Sequence, residues 1–258
     1  MNGAWLRLAV SLVTIAGTSA AAAPPRETLA SVPFVGCSSD GQVGPRPAPK
    51  QVRSTPKLES SIARKLVFYA GQDLGVLAPR GWHCLELYGS SGSTLVVTPK
   101  QHDQDLFEWK NKIKTDAVEL VLTLGGTSGR FEVADVGARL FPLTRPLVRR
   151  VRGEGITPVK PVEVTKGDRI LSQSTTRVEF STDAGSRGLG TRSRLGPTSD
   201  SITGALILVP NEDFDLVTLN VRLRSSQHQL ASAIVHATET DRGNPRHEPW
   251  TGEDHTGR

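Results

Sequence analysis

The chain has 258 residues, with 31 Lys and Arg against 26 Asp and Glu for a formal net charge of +5, and 5% aromatic residues. That length suits one large or two small domains with a proper core, and the mild basicity speaks against nucleic-acid binding, which calls for a denser Lys/Arg face. The charge points at most to an anionic surface polymer or another envelope component as partner.

From the N-terminus, residues 1–23 predict an export signal: Arg7 supplies the positive start, Leu8 to Ala16 the apolar run, and Thr18 to Ala23 the small residues that suit signal peptidase. Cleavage after Ala20 or Ala22 keeps Pro24 off the exit side of the cut. An apolar run near nine residues is well short of the roughly 20 that span a bilayer, so no transmembrane segment is expected after signal removal. The expected location is therefore secreted or periplasmic, and losing Arg7 lowers the charge to about +4.

Residues 24–60 read as a Pro-rich N-terminal arm, punctuated by Pro45, Pro47, Pro49 and Pro56, each of which removes a backbone donor. Arg46, Lys50, Arg53 and Lys57 add charge to it with no acidic residue between Gly41 and Leu58. Residues 61–240 read as one globular domain. Residues 241–258 have almost no apolar side chain besides Trp250, the composition of a disordered polar tail.

Within the domain, Lys65 to Ala70, Leu74 to Pro79, Gly81 to Tyr88 and Ser93 to Thr98 predict short strands separated by glycine-containing turns. Leu106, Trp109, Ile113, Ala117, Leu120, Val121 and Leu124 then recur at threes and fours, which predicts an amphipathic helix closed by Gly125-Gly126. A second helix is predicted from Arg130 to Phe141, stopped by Pro142. Leu147 to Val151, Arg169 to Leu171, Thr175 to Thr182, Ser201 to Val209 and Phe214 to Leu223 predict strands, and Gln229 to Ala237 a closing helix. Runs of strands broken by a few helices favour an α+β fold, mainly antiparallel, with two or three packed helices in a single domain.

Two cysteines in an oxidising compartment allow one intramolecular pairing, so Cys37 and Cys84 are the expected disulfide. It would clip the arm, including Val35 to Gln42, to the body near Trp82. Val35 and Gly36 before Cys37 loosely imitate a lipidation site, but Phe34 is too large there, and a lipidated Cys37 would strand Cys84.

Catalytic and ligand motifs are sparse. No histidine pairs with another at four-residue spacing or lies near a Cys-x-x-Cys, so no metal site and no cofactor is expected. Gly89-Ser90-Ser91-Gly92-Ser93 has the composition of a nucleophile elbow without its spacing, and a hairpin turn accounts for it. A hydrolase would have to draw on Ser91, His83 and Asp40, brought near one another by the disulfide. Gly185 to Arg192 has the composition of a phosphate cradle in the wrong order, leaving Arg187, Arg192 and Arg194 as candidate anion-binding residues. Arg139, Arg145, Arg149, Arg150 and Arg152 form a second basic stretch, which a strand would split between two faces. Carbohydrate recognition by stacking finds few exposed aromatic platforms.

The strings GVLAPRGWHCLELYGSSGSTLVVTP (Gly75 to Pro99), VEFSTDAGSRGLGTRSRL (Val178 to Leu195) and GCSSDGQVG (Gly36 to Gly44) resemble stretches in a group of exported bacterial proteins. The resemblance covers most of the body, from about Val35 to Ile234. It implies a bacterial source and carries no activity, ligand or catalytic residue. Sequence alone therefore favours a noncatalytic binding or envelope-associated protein, with the Ser/His hydrolase as the alternative.

Overall fold

The chain is described by a computed structural model over residues 28–52, 54–101, 108 and 110–240. The predicted export segment, His102, Leu106, Trp109 and the polar tail lie outside these residues.

The Pro-rich segment supplies four short strands, β1 (Leu29–Ser31), β2 (Phe34–Gly36), β3 (Ser39–Gly41) and β4 (Lys57–Glu59), and leads into the single helical turn α1 (Ser60–Ala63). β5 (Leu66–Ala70), β6 (Gly75–Pro79), β7 (His83–Gly89), β8 (Gly92–Thr98) and β9 (Ala117–Thr123) follow. The chain then forms α2 (Arg130–Leu140) and α3 (Arg145–Glu154), returns as β10 (Asp168–Gln173), β11 (Arg177–Thr182), β12 (Ile202–Val209) and β13 (Asp215–Arg222), and closes with α4 (His228–Thr240).

The main sheet has eight strands in the order β10-β11-β12-β13-β9-β8-β7-β3. Only the β3–β7 pair in it is parallel. After β9 the chain leaves the sheet through α2 and α3 and re-enters at the far edge, from which β10 to β13 meander back until β13 pairs with β9. β2, β5 and β6 make a smaller sheet and β1 pairs with β4. The architecture is a single sheet-rich α+β domain with four α-helices among the described residues, one of them a single turn.

Two elements differ from the sequence expectation. The segment expected to end an amphipathic helix is the strand β9, because Val118, Leu120 and Leu122 alternate onto one face of the sheet. A central strand with apolar residues on both faces loses its period-two signature, and threes and fours can then be counted through it. Conversely, Leu147 to Val151 lies within α3, where Leu147, Val148 and Val151 are buried on one helix face. Pro146 in the first turn and Gly155 beyond the last, left-handed at φ 66°, delimit that helix.

The eight-stranded sheet separates two apolar layers. On one face Leu95, Leu120 and Leu219 sit in adjoining positions across β8, β9 and β13, and pack under the small sheet and α4. On the other, Phe180, Leu206 and Leu216 pack against Val133, Val136 and Leu140 of α2 and Val148 and Val151 of α3. The arm is fastened along the β7 edge. Cys37 is bonded to Cys84 with a Cα–Cα distance of 5.4 Å, the Tyr88 hydroxyl donates to the Gly44 carbonyl, and the Arg46 guanidinium lies 3.8 Å from the Tyr88 ring centre.

Candidate functional site

The α2 side of the sheet is only partly covered. Beyond the packed layer, α2 stands off the strands and leaves a cleft of about 670 Å³. Its floor is a cross-strand row in which Thr94 of β8 faces Val121 of β9 and Val121 faces Thr218 of β13, with Thr123 two residues further along β9. All four are half-buried, so their outer atoms meet the cleft. One wall is α2 and the turn before it, presenting Ser128, Phe131, Glu132 and Asp135; the other is formed by Leu189, Arg192 and Ser193. Gly92 closes one end at φ 140°, and a Cβ there would lie 1.8 Å from the Leu122 carbonyl oxygen, so only glycine admits this turn.

The two carboxylates have unequal surroundings. Glu132 is exposed and pairs with Arg192 at 3.0 Å across the cleft mouth. Asp135 is half-buried, and its carboxyl is pushed above the usual range, first by burial and then by the nearby Glu132 charge. The Lys160 amide donates to Asp135 at 2.6 Å and pulls in the opposite direction.

On the same face of β9 as the floor, two residues before Val121, lies Glu119, which is 0% exposed. It accepts from the Arg194 amide at 3.1 Å and faces the Asn220 side-chain amide at 3.5 Å. Burial raises its pKa, while the Arg194 amide, the Ser193 side chain and the Arg194 charge act against the rise. Lys112 donates to the Ser193 carbonyl at 2.6 Å. The wall at Ser193 and Arg194 is thereby tied to β9 beside the cleft, which gives the cleft a fixed side.

The residues singled out in the sequence are distributed as follows. Cys37 and Cys84 form the disulfide, and no free cysteine is present among the described residues. Ser91 is exposed in the β7–β8 turn and lines the cleft end, whereas His83 is exposed at the opposite end of β7, about 20 Å away at the rise of a strand. Asp40 lies on β3 beside Leu87, where its carboxylate accepts from the Gly41 amide. The structure does not bring Ser91, His83 and Asp40 together, so no Ser-His-Asp arrangement forms.

Arg187, Arg192 and Arg194 do not share a ligand position either. Arg187 is exposed with its carbonyl held by Thr165, Arg192 pairs with Glu132, and Arg194 is 7% exposed near Glu119. The glycine-rich loop carrying them is anchored by Asp168, which accepts from the Leu189 amide and the Thr182 hydroxyl. Among the described residues, no group of three or more His, Cys, Asp or Glu is placed to hold a metal ion, and no helix is long and apolar enough to cross a membrane.

The cleft residues were not legible as a site. Thr94 and Thr218 look like the polar half of ordinary strand alternation, and Glu132 with Asp135 like the wet face of a helix. The one available signal was the three-residue spacing of those two carboxylates beside an apolar helix face. Comparison with family models and with curated proteins finds no match for this chain.

Proposed function

We propose that the protein is an exported, noncatalytic binding protein of the bacterial envelope, and that its ligand occupies the cleft between α2 and the sheet. The observation that carries this reading is the cleft's hydroxyl floor, Thr94, Thr123 and Thr218, between a wall with two carboxylates and a wall with one arginine. A concave site of this size with a few convergent polar groups is the usual form of a small-ligand site. Hydroxyls that both donate and accept, with more acid than base around them, fit an uncharged or amine-bearing ligand rich in hydroxyl and amide groups. Soluble peptidoglycan fragments combine those groups. Among the described residues Phe131 is the only aromatic ring in the lining, so recognition would rest on hydrogen bonds rather than on stacking.

Calorimetric titration with solubilised peptidoglycan fragments tests the reading. Thr218→Val keeps the shape and removes one hydroxyl; it is expected to weaken binding by about tenfold, the value of a good hydrogen bond, with an unchanged melting temperature. Absence of binding to the wild-type protein, or equal binding by the variant, contradicts it. The unequal environments of Glu132 and Asp135 favour one second reading, acid-base hydrolysis of the same ligand. Cleavage products that vanish in Asp135→Asn would replace binding with turnover.

A further inference from the structure

We propose that the groove between α2 and α3, on the other side of α2 from the cleft, docks on anionic lipid headgroups through their phosphates. The inference stands independently of the cleft and its ligand. Because Leu147 to Val151 is helical rather than extended, Arg145, Arg149 and Arg152 fall four and three residues apart and share one side of α3. Arg139 from the last turn of α2 completes the set, and all four line a groove of about 620 Å³. Arg150, which a strand would also have separated from Arg149, points away and pairs with Asp213.

The four groove arginines are exposed, and among the described residues none has a carboxylate within ion-pairing distance. The nearest acids along these helices are already engaged: Glu154 with Arg130, Glu132 with Arg192, and Asp135 with the Lys160 amide. Four like charges held side by side repel one another unless an anion lies between them. The groove bottom is small-sided. A Cβ at Gly137 would lie 2.2 Å from the Thr144 hydroxyl oxygen, so the glycine allows the turn between the helices to approach α2 closely. Forked guanidiniums around such a groove suit phosphate oxygens, which they bind in pairs.

Exposed apolar side chains at the same end of the molecule select a lipid surface over a soluble anion. Leu143, 44% exposed, stands in the turn between the two helices. Gln173 donates to the Leu140 carbonyl at 2.9 Å, which brings the end of β10 to the end of α2, and Leu171 two residues earlier is 55% exposed. A phosphate in water gains nothing from Leu143 or Leu171, whereas a bilayer interface takes up apolar tips beside basic residues.

Cosedimentation of the protein with vesicles tests this. Vesicles containing phosphatidylglycerol should bind the wild-type protein in a salt-sensitive manner, and pure phosphatidylcholine vesicles should not. The double variant Arg145→Gln, Arg149→Gln should lose roughly 30-fold in partitioning, at the usual contribution of a basic residue near an anionic surface. Leu143→Ser should weaken vesicle binding further while retaining the salt dependence. Failure to bind the anionic vesicles, or equal binding by the double variant, overturns the proposal. Arginine-dependent binding of inorganic polyphosphate without vesicle binding overturns the lipid assignment and leaves a soluble phosphate polymer as the ligand. Neither result bears on peptidoglycan binding by the cleft, because Thr218 is untouched.

Discussion

The two faces of the eight-stranded sheet differ by a single residue step and behave as different materials. Leu95, Leu120 and Leu219 make a row on the covered face; Thr94, Val121 and Thr218, each next to one of them in the chain, make the row on the cleft face. The leucines are completely shielded under the small sheet and α4, and the cleft row stays half-buried because α2 stands away from it. One face is thus covered along this row and the other left partly open, a division that strand alternation makes possible at no cost in backbone geometry.

Each face also buries one glutamate, and the pair sharpens the contrast. Glu86 on the covered face accepts from the Ser39 hydroxyl at 2.6 Å and from the amides of Gln72, Asp73 and Leu74 at 2.6, 3.1 and 2.8 Å. It closes the β5–β6 turn and ties it to the arm. Glu119 on the cleft face has one backbone amide donor at 3.1 Å, the Ser193 side chain and a longer contact to Asn220, whose Oδ1 has no hydrogen-bond donor among the described residues. Burial raises the pKa of both.

The largest expected effect belongs to the covered side. Replacing Cys37 and Cys84 together by Ala opens a loop set by their separation of 47 residues. The chain-entropy model puts the cost at about 4 kcal/mol, read as a lower denaturation midpoint, and a change under about 1 kcal/mol would mean that β3 and Tyr88 alone fasten the arm.

A smaller effect distinguishes the two glutamates. Glu86→Gln turns an amide nitrogen toward donors that need an acceptor, and should cost roughly 2 to 3 kcal/mol in acid, a margin that narrows as pH rises through the raised Glu86 value. Glu119→Gln, with fewer donors to turn against, should show its effect mainly through pH. A carboxyl whose folded pKa lies above its unfolded value binds its proton more tightly in the native state. Its contribution to stability is complete below the ordinary Glu range, about pH 4, and is lost as pH rises through the raised value. Denaturant unfolding from acid to neutral pH should show the wild-type protein losing stability relative to Glu119→Gln; parallel curves would contradict the assignment.

The sequence carried the disulfide because two cysteines leave one pairing, and it carried most strands because glycine-containing turns bound them. Arg130 to Phe141 was recognisable as a helix by Val133, Val136 and Leu140, which the structure buries. β9 was obscured by its position: with Leu120 facing one layer and Val121 the other, the apolar run has no period of two to read. α3 was obscured by the brevity of Leu147 to Val151, although Pro146 and Gly155 marked its ends. The same brevity conceals the arginine groove, since a strand scatters the residues that a helix collects. The cleft was invisible for a different reason. It exists because α2 stands off the floor threonines, a distance between segments remote in the chain that no local pattern encodes.

The claim that the open face is the ligand-binding face is tested most directly by mapping amide chemical shifts while solubilised peptidoglycan fragments are titrated into isotopically labelled protein. Saturable shifts are expected at Thr94, Thr123, Asp135 and Thr218, with Leu95, Leu120 and the β5–β6 sheet unmoved. Shifts centred on β5 and β6, or none at the cleft residues at fragment concentrations that saturate the protein, would contradict it.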